Sequence, residues 1–297
     1  MNLDDGTLTL HQSDIGHYIT CPEQFRLVNM LDVPIEEWEP SNEHRVETDA
    51  ASVGTNLHSV IEYDLGEPFG SLQEAFEWAE SDFGQMIASY IRDDVQYRTE
   101  SFGGDPEKTL RAVRNLVESW YTSKEREYWH GRNPKTYRLE HKFDVPFVTR
   151  NSDRIHTIRL AGQMDLLDTQ ENRVVDWKSA SRDYQRWEKQ RWSHQPTTYT
   201  FAAVEEQLIV PNGDGLVEFD FKVFVRGSKP VEAQTVQVWR GPGQWGWLTQ
   251  LVNNIADMIE SDAAAWPLRD DHALCSPKWC PMWDNCKGQF VSHPDWT

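Results

Sequence analysis

Features common in exported and membrane proteins are missing from this chain of 297 residues. No run of eighteen apolar residues occurs, so no membrane-spanning helix is expected. Residues 1–12 contain Asp4 and Asp5 and lack the apolar segment of a signal peptide. Internal repeats and low-complexity linkers are also absent. We therefore expect an intracellular, cytoplasmic protein that forms a single domain over residues 1–297 and has no membrane partner.

Basic residues are scarce, with 29 Lys and Arg against 48 Asp and Glu, and the net charge is −19. This balance disfavours the large basic surface that most nucleic-acid-binding proteins use. Residues 178–191 are an exception, because five basic and only two acidic residues fall there. The five are Lys178, Arg182, Arg186, Lys189 and Arg191. A basic strip on an acidic body can still guide a polyanion, with weaker non-specific binding.

Cysteine is rare, and three of the four cysteines fall within residues 275–286. They are Cys275, Cys280 and Cys286, with Cys21 far upstream. Two disulfides are one interpretation, although the chain shows no export signal, and unrelated buried thiols are another. Zinc sites usually use pairs of cysteines separated by two to four residues, which this spacing does not match. The spacing favours a 4Fe–4S cluster, which accepts varied intervals, while zinc and plain thiols stay open.

Aromatic residues are plentiful, at 12% of the chain with 14 Trp, and 38% of residues are hydrophobic. This composition excludes a disordered chain and suffices for a packed core. Apolar periodicity predicts helices over about 13–30, 54–65, 71–92, 106–129, 185–208 and 244–262, with an acidic loop at 34–50. Alternation predicts strands over about 136–148, 156–168, 172–178, 216–226 and 231–240. This order of elements predicts an α/β core with a helical insert.

The strands at 156–168 and 172–178 predict a β-hairpin that carries one carboxylate on each strand. Asp165 follows Gly162 on the first strand, and Asp176 and Lys178 lie on the second. Residues two apart on a strand share a face, so Asp176 and Lys178 point the same way. Two carboxylates that hold Mg²⁺ or Mn²⁺ beside an ammonium group suit metal-assisted attack on a phosphodiester. An Asp-x-Lys pair on a solvated strand face is the simpler interpretation of that motif alone.

Six short motifs follow one another along nearly the whole chain. They are Ser13–Leu27 with Cys21-Pro22, Gly54 to His58, Gly162 to Asp165, Asp176-Trp177-Lys178, Gln195 to Tyr199, and Trp266-Pro267 followed by the three clustered cysteines. Each motif is weak alone, but their order resembles the PD-(D/E)XK nuclease superfamily. The closest resemblance is to its RecB-like iron–sulfur branch, which contains the CRISPR-associated RecB-like exonucleases and the AddB-type nuclease domains.

The resemblance implies a restriction-endonuclease-like fold, in which a central mixed sheet is flanked by helices. The nuclease core would cover residues 135–262 and the helical insert residues 66–134. An iron–sulfur lobe would join the two termini through residues 1–30 and 266–297.

The resemblance also implies roles for individual residues. His58, Asp165, Asp176 and the backbone carbonyl of Trp177 would bind catalytic Mg²⁺ or Mn²⁺, with Lys178 as the catalytic cation beside the two aspartates. Gln195 and Tyr199 would contact DNA or hold the lysine, and Arg182 and Arg186 of the basic strip would bind DNA. Cys21, Cys275, Cys280 and Cys286 would hold a 4Fe–4S cluster.

The function implied is a metal-dependent DNA nuclease, most simply an exonuclease on DNA ends or single-stranded DNA in recombination, repair or replication. A protein partner from recombination or CRISPR adaptation would accompany that role. One alternative is a catalytically idle DNA-binding or scaffold module that keeps the cluster, and the net charge of −19 supports it. Another is an iron–sulfur electron carrier, which leaves Asp176 and Lys178 unexplained. The complete set of His58, Asp165, Asp176 and Lys178 favours the nuclease.

Overall fold

The computed structural model of the protein describes residues 1–30, 46–227, 229–261, 265–269, 274–276, 280, 282–283 and 286. Most of the acidic loop predicted at 34–50 and much of the segment 266–297 lie outside these residues. The described elements form an α/β fold with a mixed sheet and flanking helices, which confirms that part of the predicted fold class, whereas the predicted iron–sulfur lobe is not shown. Among them, no helix combines the length and apolar character needed to cross a bilayer.

The elements have the following bounds. The helices are α1 (Gln12–Thr20), α2 (Pro22–Met30), α3 (Asp49–Gly66), α4 (Leu72–Arg92), α5 (Pro106–Tyr121), α6 (Lys124–His130), α7 (Arg186–Trp192), α8 (Gln195–Glu205) and α9 (Pro242–Glu260). The strands are β1 (Asn2–Asp4), β2 (Thr7–His11), β3 (Val46–Thr48), β4 (Gln96–Arg98), β5 (Tyr137–Thr149), β6 (Thr157–Asp168), β7 (Arg173–Ala180), β8 (Val217–Val225) and β9 (Gln234–Arg240).

The chain divides into two compact units. The first unit contains Met1–Arg45, Phe143–Gly162 and Gly243–Thr297, and the second contains Val46–Lys142 and Gln163–Pro242. All four cysteines belong to the first unit, and the predicted metal and DNA-binding residues belong to the second.

The sheet of the second unit is built around β7. The end of β6 pairs with β7 in antiparallel register, with Leu166 opposite Val175, which confirms the predicted hairpin. β7 runs parallel to β8, with Asp176 opposite Phe221, and β8 pairs antiparallel with β9. Val174 and Val175 are fully buried, as expected for a strand covered on both faces.

Helices α3, α4 and α5 cover this sheet with a continuous apolar core. Leu57 and Ile61 of α3 are buried together with Trp120 of α5 and Trp177 of β7. The rings of Trp120 and Trp177 meet edge to face, with centroids 6.2 Å apart. Burial of each large apolar side chain contributes about 1.5–3 kcal/mol, so this cluster fixes α3 against β7.

A buried carboxylate ties the helices of the second unit together. Asp64 of α3 has no exposed surface and accepts hydrogen bonds from Trp120 Nε1 at 2.9 Å and from Arg126 Nε at 2.7 Å. His130 Nε2 lies 2.9 Å from the same carboxylate, and the backbone N–H of Phe69 donates to it at 2.9 Å. A buried charge is tolerated only when it is paired and hydrogen-bonded, and Asp64 meets both conditions.

The first unit also contains paired strands. β1 pairs antiparallel with β2, and β2 pairs in parallel with residues 157–161 of β6. The segment after α9 returns to α1 and α2, because the Trp266 ring stacks on Phe25 at 5.8 Å and its backbone N–H donates to Glu23 Oε2 at 2.7 Å. Residue 266 therefore lies beside the helices that flank Cys21.

The structure corrects the predicted start of the chain. Strands β1 and β2 were not predicted, and the first helix begins at Gln12 rather than after a Ser13 cap, because Asp14 accepts the backbone N–H of His11 at 2.8 Å. The predicted single helix to residue 30 is two helices. Pro22 disfavours helical backbone at Cys21, which is extended (φ −160°) and separates α1 from α2.

Other predicted helices also have different ends. α3 begins at Asp49 rather than Gly54, since the Thr48 side chain caps it by accepting the Ala51 N–H at 3.1 Å. The predicted 106–129 helix breaks where Ser123 caps α6, and the predicted 185–208 helix breaks before Pro196 into α7 and α8. A small cap residue or a proline causes each of these breaks.

Candidate active site

Helix α3 brings His58 to the sheet because Gly54 has no side chain. A Cβ atom at position 54 would lie 2.9 Å from Ser179 Oγ of β7, closer than side chains tolerate. Glycine at this position lets α3 lie directly on β7. His58 follows one helical turn later, on the same face of α3. The Gly-x-x-x-His spacing is thus explained by the close approach of the helix to the strand.

The β6–β7 hairpin supplies the two carboxylates and the lysine. Asp165 Oδ2 accepts the backbone N–H of Trp177 at 2.8 Å and lies 3.4 Å from His58 Nδ1. Lys178 Nζ lies 2.8 Å from Asp176 Oδ1 and 2.6 Å from Oδ2. The structure therefore brings together His58, Asp165, Asp176 and Lys178, the four side chains singled out in the sequence.

These groups are buried to different degrees. Asp176 has no exposed surface and Asp165 is 8% exposed, whereas the side chain of Lys178 is 27% exposed. The carboxylates thus form the floor of the site, and the side chains of Lys178 and His58, each 27% exposed, lie nearer to solvent. A substrate phosphate approaching from solvent would meet the lysine together with any ion held by the carboxylates.

The environment separates the pKa values of the two aspartates. Burial raises the pKa of Asp176 to about 6, and Asp165 adds to this shift while Lys178 opposes it. Burial also opposes ionisation of Asp165, but His58 and then Lys178 outweigh it and lower the pKa of Asp165. Burial disfavours the charged forms of Lys178 and His58, yet the aspartates raise the pKa of both. A bound cation would favour the ionised form of Asp176 and complete the charge balance.

Gln195 and Tyr199 enter the site from α8. Gln195 Nε2 donates to Asp176 Oδ1 at 2.7 Å, so the amide holds a carboxylate rather than the lysine. Tyr199 is buried, and this burial together with Asp176 raises its pKa to about 12. The phenol therefore stays protonated across the physiological pH range.

Arg240 of β9 holds α8 and α7 in place. The residue is 1% exposed, and its Nε donates to Thr197 Oγ1 at 2.9 Å while Nη2 donates to Ser193 O at 2.9 Å and Lys189 O at 2.8 Å. Burial lowers the pKa of Arg240 to about 10, which leaves it charged at neutral pH. This guanidinium therefore fixes the helix that presents Gln195 to Asp176.

Glu140 of β5 is a residue of the site to which the sequence analysis gave no role. Its backbone is left-handed (φ 46°), and its carboxylate accepts a hydrogen bond from Gln163 Nε2. Burial and then the charge of Asp165 raise the pKa of Glu140 to about 7. A left-handed glutamate within a strand costs about 1–3 kcal/mol, and such strain concentrates at functional sites. No local sequence pattern signals this backbone conformation.

Only part of the basic strip at residues 178–191 lies at the site. Arg182 and Arg186 are exposed, and Arg186 Nε donates to the backbone carbonyl of Gln237 at 3.0 Å. Tyr184 and Lys189, to which the sequence analysis gave no role in the site, lie near Lys178. Burial raises the pKa of Tyr184 and lowers that of Lys189, and the charge of Lys178 acts to lower both. The two residues also contact each other, because Lys189 Nζ lies 3.6 Å from the centre of the Tyr184 ring. The aromatic and basic composition after Lys178 was the signal for them.

The carboxylate oxygens of Asp165 and Asp176 suit a divalent cation, although the site does not have the geometry of a complete metal-binding site. Within the described parts of the chain, no three His, Cys, Asp or Glu side chains are arranged as a ready ligand set. Asp176 Oδ2 is buried and accepts no hydrogen bond of normal geometry, even though Lys178 Nζ is nearby. Carboxylate oxygens are the ligands that Mg²⁺ and Mn²⁺ prefer. Such an ion at Asp165 and Asp176 would engage this atom and loosen the ion pair with Lys178.

The structure describes all four cysteines, and none of them forms a disulfide. Burial raises the pKa of the Cys280 thiol, and the nearby thiols of Cys275, Cys21 and Cys286 raise it further. The four therefore lie close enough to interact, but in the described residues they do not form a ready metal-ligand set. The predicted 4Fe–4S cluster is not shown by this arrangement.

A model of the PD-(D/E)XK nuclease superfamily matches residues 9–287 of the chain. Among solved structures, the crystal structure of SSO0001 is 10% identical in sequence, with a TM-score of 0.33 and coverage of 83% of this chain and 88% of that chain. A similarity this weak carries no argument about fold or function. No curated protein matches the sequence.

Proposed function

The chain belongs to the PD-(D/E)XK nuclease superfamily, and we propose that it is a metal-dependent exonuclease that acts on DNA ends or single-stranded DNA. Nucleases of this superfamily typically use Mg²⁺ or Mn²⁺ and hydrolyse nucleic acid. The observation that carries the proposal is the convergence of His58, Asp165, Asp176 and Lys178 on one buried patch. DNA recombination, repair or replication would be the process served.

We assign the metal to Asp165 and Asp176, with His58 and the Trp177 backbone carbonyl as further ligands. The bound ion would lower the pKa of a coordinated water and neutralise charge on the phosphate. Gln195 keeps one oxygen of Asp176 oriented, and His58 keeps one oxygen of Asp165 oriented. These contacts hold the carboxylates in fixed positions before the ion arrives, which reduces the cost of assembling the site.

Lys178 is the group assigned to the reacting phosphate. Its ammonium stays charged at all physiological pH values, because the aspartates raise its pKa. With a cation bound at Asp176, Lys178 would be released from its ion pair and would face the scissile phosphate and the attacking water. Fixed positive charge aimed at the site of developing negative charge is among the largest contributions to catalysis.

The exposed guanidinium groups of Arg182 and Arg186 would bind the DNA backbone, and Tyr199 would support Gln195. Two positive charges near the site would steer the strand toward it even though the whole protein is acidic. A partner protein from recombination or CRISPR adaptation would deliver the DNA in the cell.

We assign Cys21, Cys275, Cys280 and Cys286 to a structural 4Fe–4S cluster. The placement of all four in one unit and the effect of three thiols on the pKa of Cys280 support this assignment. Four thiolates are the usual ligand set of such a cluster. Protein purified without oxygen should then be brown and absorb near about 400 nm. A colourless protein with one zinc ion per chain would replace this assignment with zinc.

The net charge of −19 favours a second candidate, a DNA-binding scaffold that has lost catalysis. The two functions are separated by incubating the protein with Mn²⁺ and DNA strands labelled at the 5′ or the 3′ end. The exonuclease should release short labelled products from one end and progressively shortened strands from the other, and EDTA should stop both. A protein that binds these strands but leaves them intact in Mn²⁺ and in Mg²⁺ would be the scaffold.

A further inference from the structure

Two tryptophan rings stand in solvent on the short helix that follows the candidate active site. Trp187 and Trp192 of α7 are 56% and 60% exposed, and their ring centroids are 5.0 Å apart. Leaving one large aromatic side chain in water forfeits the stabilisation that its burial would give. Two such rings side by side on one surface indicate contact with a ligand.

The packing of α7 does not depend on these rings. Gln190 exchanges two hydrogen bonds with the backbone of Trp239, at 3.1 and 3.0 Å, and Arg186 Nε donates to Gln237 O at 3.0 Å. Arg240 Nη2 donates to Lys189 O at 2.8 Å. Polar groups therefore fasten the inner face of α7 to β9, and more than half of each tryptophan remains exposed to solvent.

The two rings lie beside the catalytic residues. Trp192 is three residues before Gln195, whose amide contacts Asp176 Oδ1 at 2.7 Å. Three residues of chain span at most about 11 Å. Lys189 lies in the middle of the same helix. Burial lowers the pKa of Lys189, and the charge of nearby Lys178 lowers it further. A strand that lay across Trp192 would thus pass close to the site.

Basic residues outnumber acidic ones around the rings, with five basic and two acidic residues in 178–191. The guanidinium of Arg191 lies 5.8 Å from the Trp192 ring, and Arg182, Arg186 and Arg191 are all exposed. Aromatic faces combined with cationic side chains are what proteins use to hold unpaired strands, with bases on the rings and phosphates on the cations. Bases within a duplex are already stacked on one another and cannot use such rings.

We propose that Trp187 and Trp192 form a stacking surface for the bases of an unpaired DNA strand that enters the active site. The proposal rests on the assignment of the protein as a DNA nuclease and adds the residues that would hold an unpaired strand. Stacking does not depend on net positive charge, so this surface also explains how a chain with a charge of −19 can hold DNA. Arg186 and Arg191 would contact the phosphates on either side of the stacked bases.

The test compares binding to two single strands of equal length, one of thymidines and one of abasic sites, which keeps the phosphates and removes the bases. Binding is measured by fluorescence anisotropy in Ca²⁺ without Mg²⁺ or Mn²⁺, for wild type, Trp187→Ala, Trp192→Ala and the double variant. Trp187→Phe and Trp192→Phe retain an aromatic face. Trp247→Ala, at a 47% exposed tryptophan of α9 in the other unit, is the matched control.

Each alanine variant should weaken thymidine binding about 10-fold and the double variant about 100-fold, with abasic binding unchanged. The phenylalanine variants should recover most of the affinity, and Trp247→Ala should match wild type. Thymidine affinity unchanged in the double variant would overturn the proposal and point to a protein partner for this surface. Equal losses on both strands would overturn it as well, because the rings would then act through phosphate contacts or folding.

Cleavage of labelled DNA by the wild type, measured in parallel in Mn²⁺, separates this inference from the proposed function. A wild type that cleaves DNA while the tryptophan variants bind thymidines normally refutes the stacking surface alone. A wild type that neither cleaves nor binds DNA refutes the nuclease assignment and the surface together.

Discussion

The carboxylate site of the second unit and the four cysteines of the first unit differ in what positions their side chains. Asp165, Asp176 and Lys178 lie on two neighbouring strands, and His58 on a helix that packs directly on one of them. Their backbone hydrogen bonds and a close glycine contact fix the geometry without any ion. Cys21 follows the end of α1, and the other three cysteines lie at described positions that belong to no helix or strand, so under the proposed assignment a bound metal would bring the sulfur atoms to ligation distance.

The carboxylate site is thus formed before a metal binds, whereas a cysteine site would be formed by the metal itself. A preformed site should keep its shape when the metal is removed, and its loss should affect catalysis rather than folding. A site that the metal assembles should couple metal binding to stability. The following predictions test each side of that contrast.

The largest effect is expected at the carboxylate site. Asp176→Asn and Lys178→Ala should each lower the rate of DNA hydrolysis on the order of 10³-fold or more, because each removes a charge that acts on the reacting phosphate or its metal. Both substitutions break the buried ion pair between Asp176 and Lys178, so rates are compared per folded molecule. Rates are measured on labelled single-stranded DNA in Mn²⁺.

Asp220→Asn is the matched control for this pair of variants. Asp220 of β8 is also buried, but it pairs with Arg173 at 3.0 Å outside the site. The control should lose stability and keep its rate per folded molecule. If it lost as much activity as Asp176→Asn, the active site would be assigned to the wrong carboxylate.

A smaller effect on activity but a large one on stability is expected at Cys21. If a cluster joins Cys21 to the three later cysteines, Cys21→Ser should remove the brown colour and lower the free energy of unfolding by several kcal/mol, since the metal closes a very long loop. Absorbance near about 400 nm and the melting temperature provide the measurement. Thr20→Ala, at the adjacent residue, should keep both. Unchanged colour in Cys21→Ser would exclude this cysteine as a ligand.

A moderate effect is expected from Gly54→Ala. The added Cβ would lie 2.9 Å from Ser179 Oγ and would push α3 away from β7, which displaces His58. Displacements of about 1 Å can cost 10²-fold in rate, so we expect a loss of about 10- to 100-fold. Gly84→Ala on α4 meets nothing within 4 Å and should stabilise the protein by up to about 1 kcal/mol without loss of rate. Equal rates in both variants would show that close packing of α3 is not what positions His58.

The smallest effect concerns Glu140 and depends on pH. Its pKa is raised to about 7 in the folded protein from an ordinary value of 4.5, so the folded state binds its proton more tightly than the unfolded state. The stability from this group is full below about pH 4.5 and is lost as the pH rises through 7. Glu140→Gln should therefore be more stable than wild type at pH 8, by about 1 kcal/mol in EDTA, and should lose that advantage by pH 5.

Thermal unfolding at the two pH values measures this effect. Glu77→Gln, at an exposed position on α4, is the control for loss of one surface charge. A constant difference between Glu140→Gln and wild type across this range would contradict the raised pKa.

The contrast between the two regions also explains what the sequence could predict. The hairpin and the shared face of Asp176 and Lys178 follow from strand alternation, and the placement of His58 follows from helical spacing after Gly54. The left-handed backbone of Glu140 and the contact of Gln195 with Asp176 depend on packing among distant elements, so no local pattern reveals them. The starts of α1, α3 and α6 were missed because hydrogen bonds of single side chains set them, namely those of Asp14, Thr48 and Ser123.

The tryptophans of α7 were missed for another reason. The sequence analysis gave Trp187 and Trp192 no role, because composition alone does not distinguish an exposed tryptophan from a buried one. Only the polar anchoring of α7 through Gln190 and Arg240 shows that they remain outside. A segment rich in both tryptophan and arginine directly after a catalytic lysine is the pattern that could have identified them.

The central claim is that the carboxylates of the β6–β7 hairpin hold the catalytic metal independently of the cysteines. Electron paramagnetic resonance of added Mn²⁺ measures it directly, because the six-line signal of aqueous Mn²⁺ falls as the ion binds. Wild type and Cys21→Ser, below the melting temperature of the variant, should bind Mn²⁺ alike, while Asp165→Asn and Asp176→Asn should leave it in solution. Equal Mn²⁺ binding by the wild type and both aspartate variants would contradict the account.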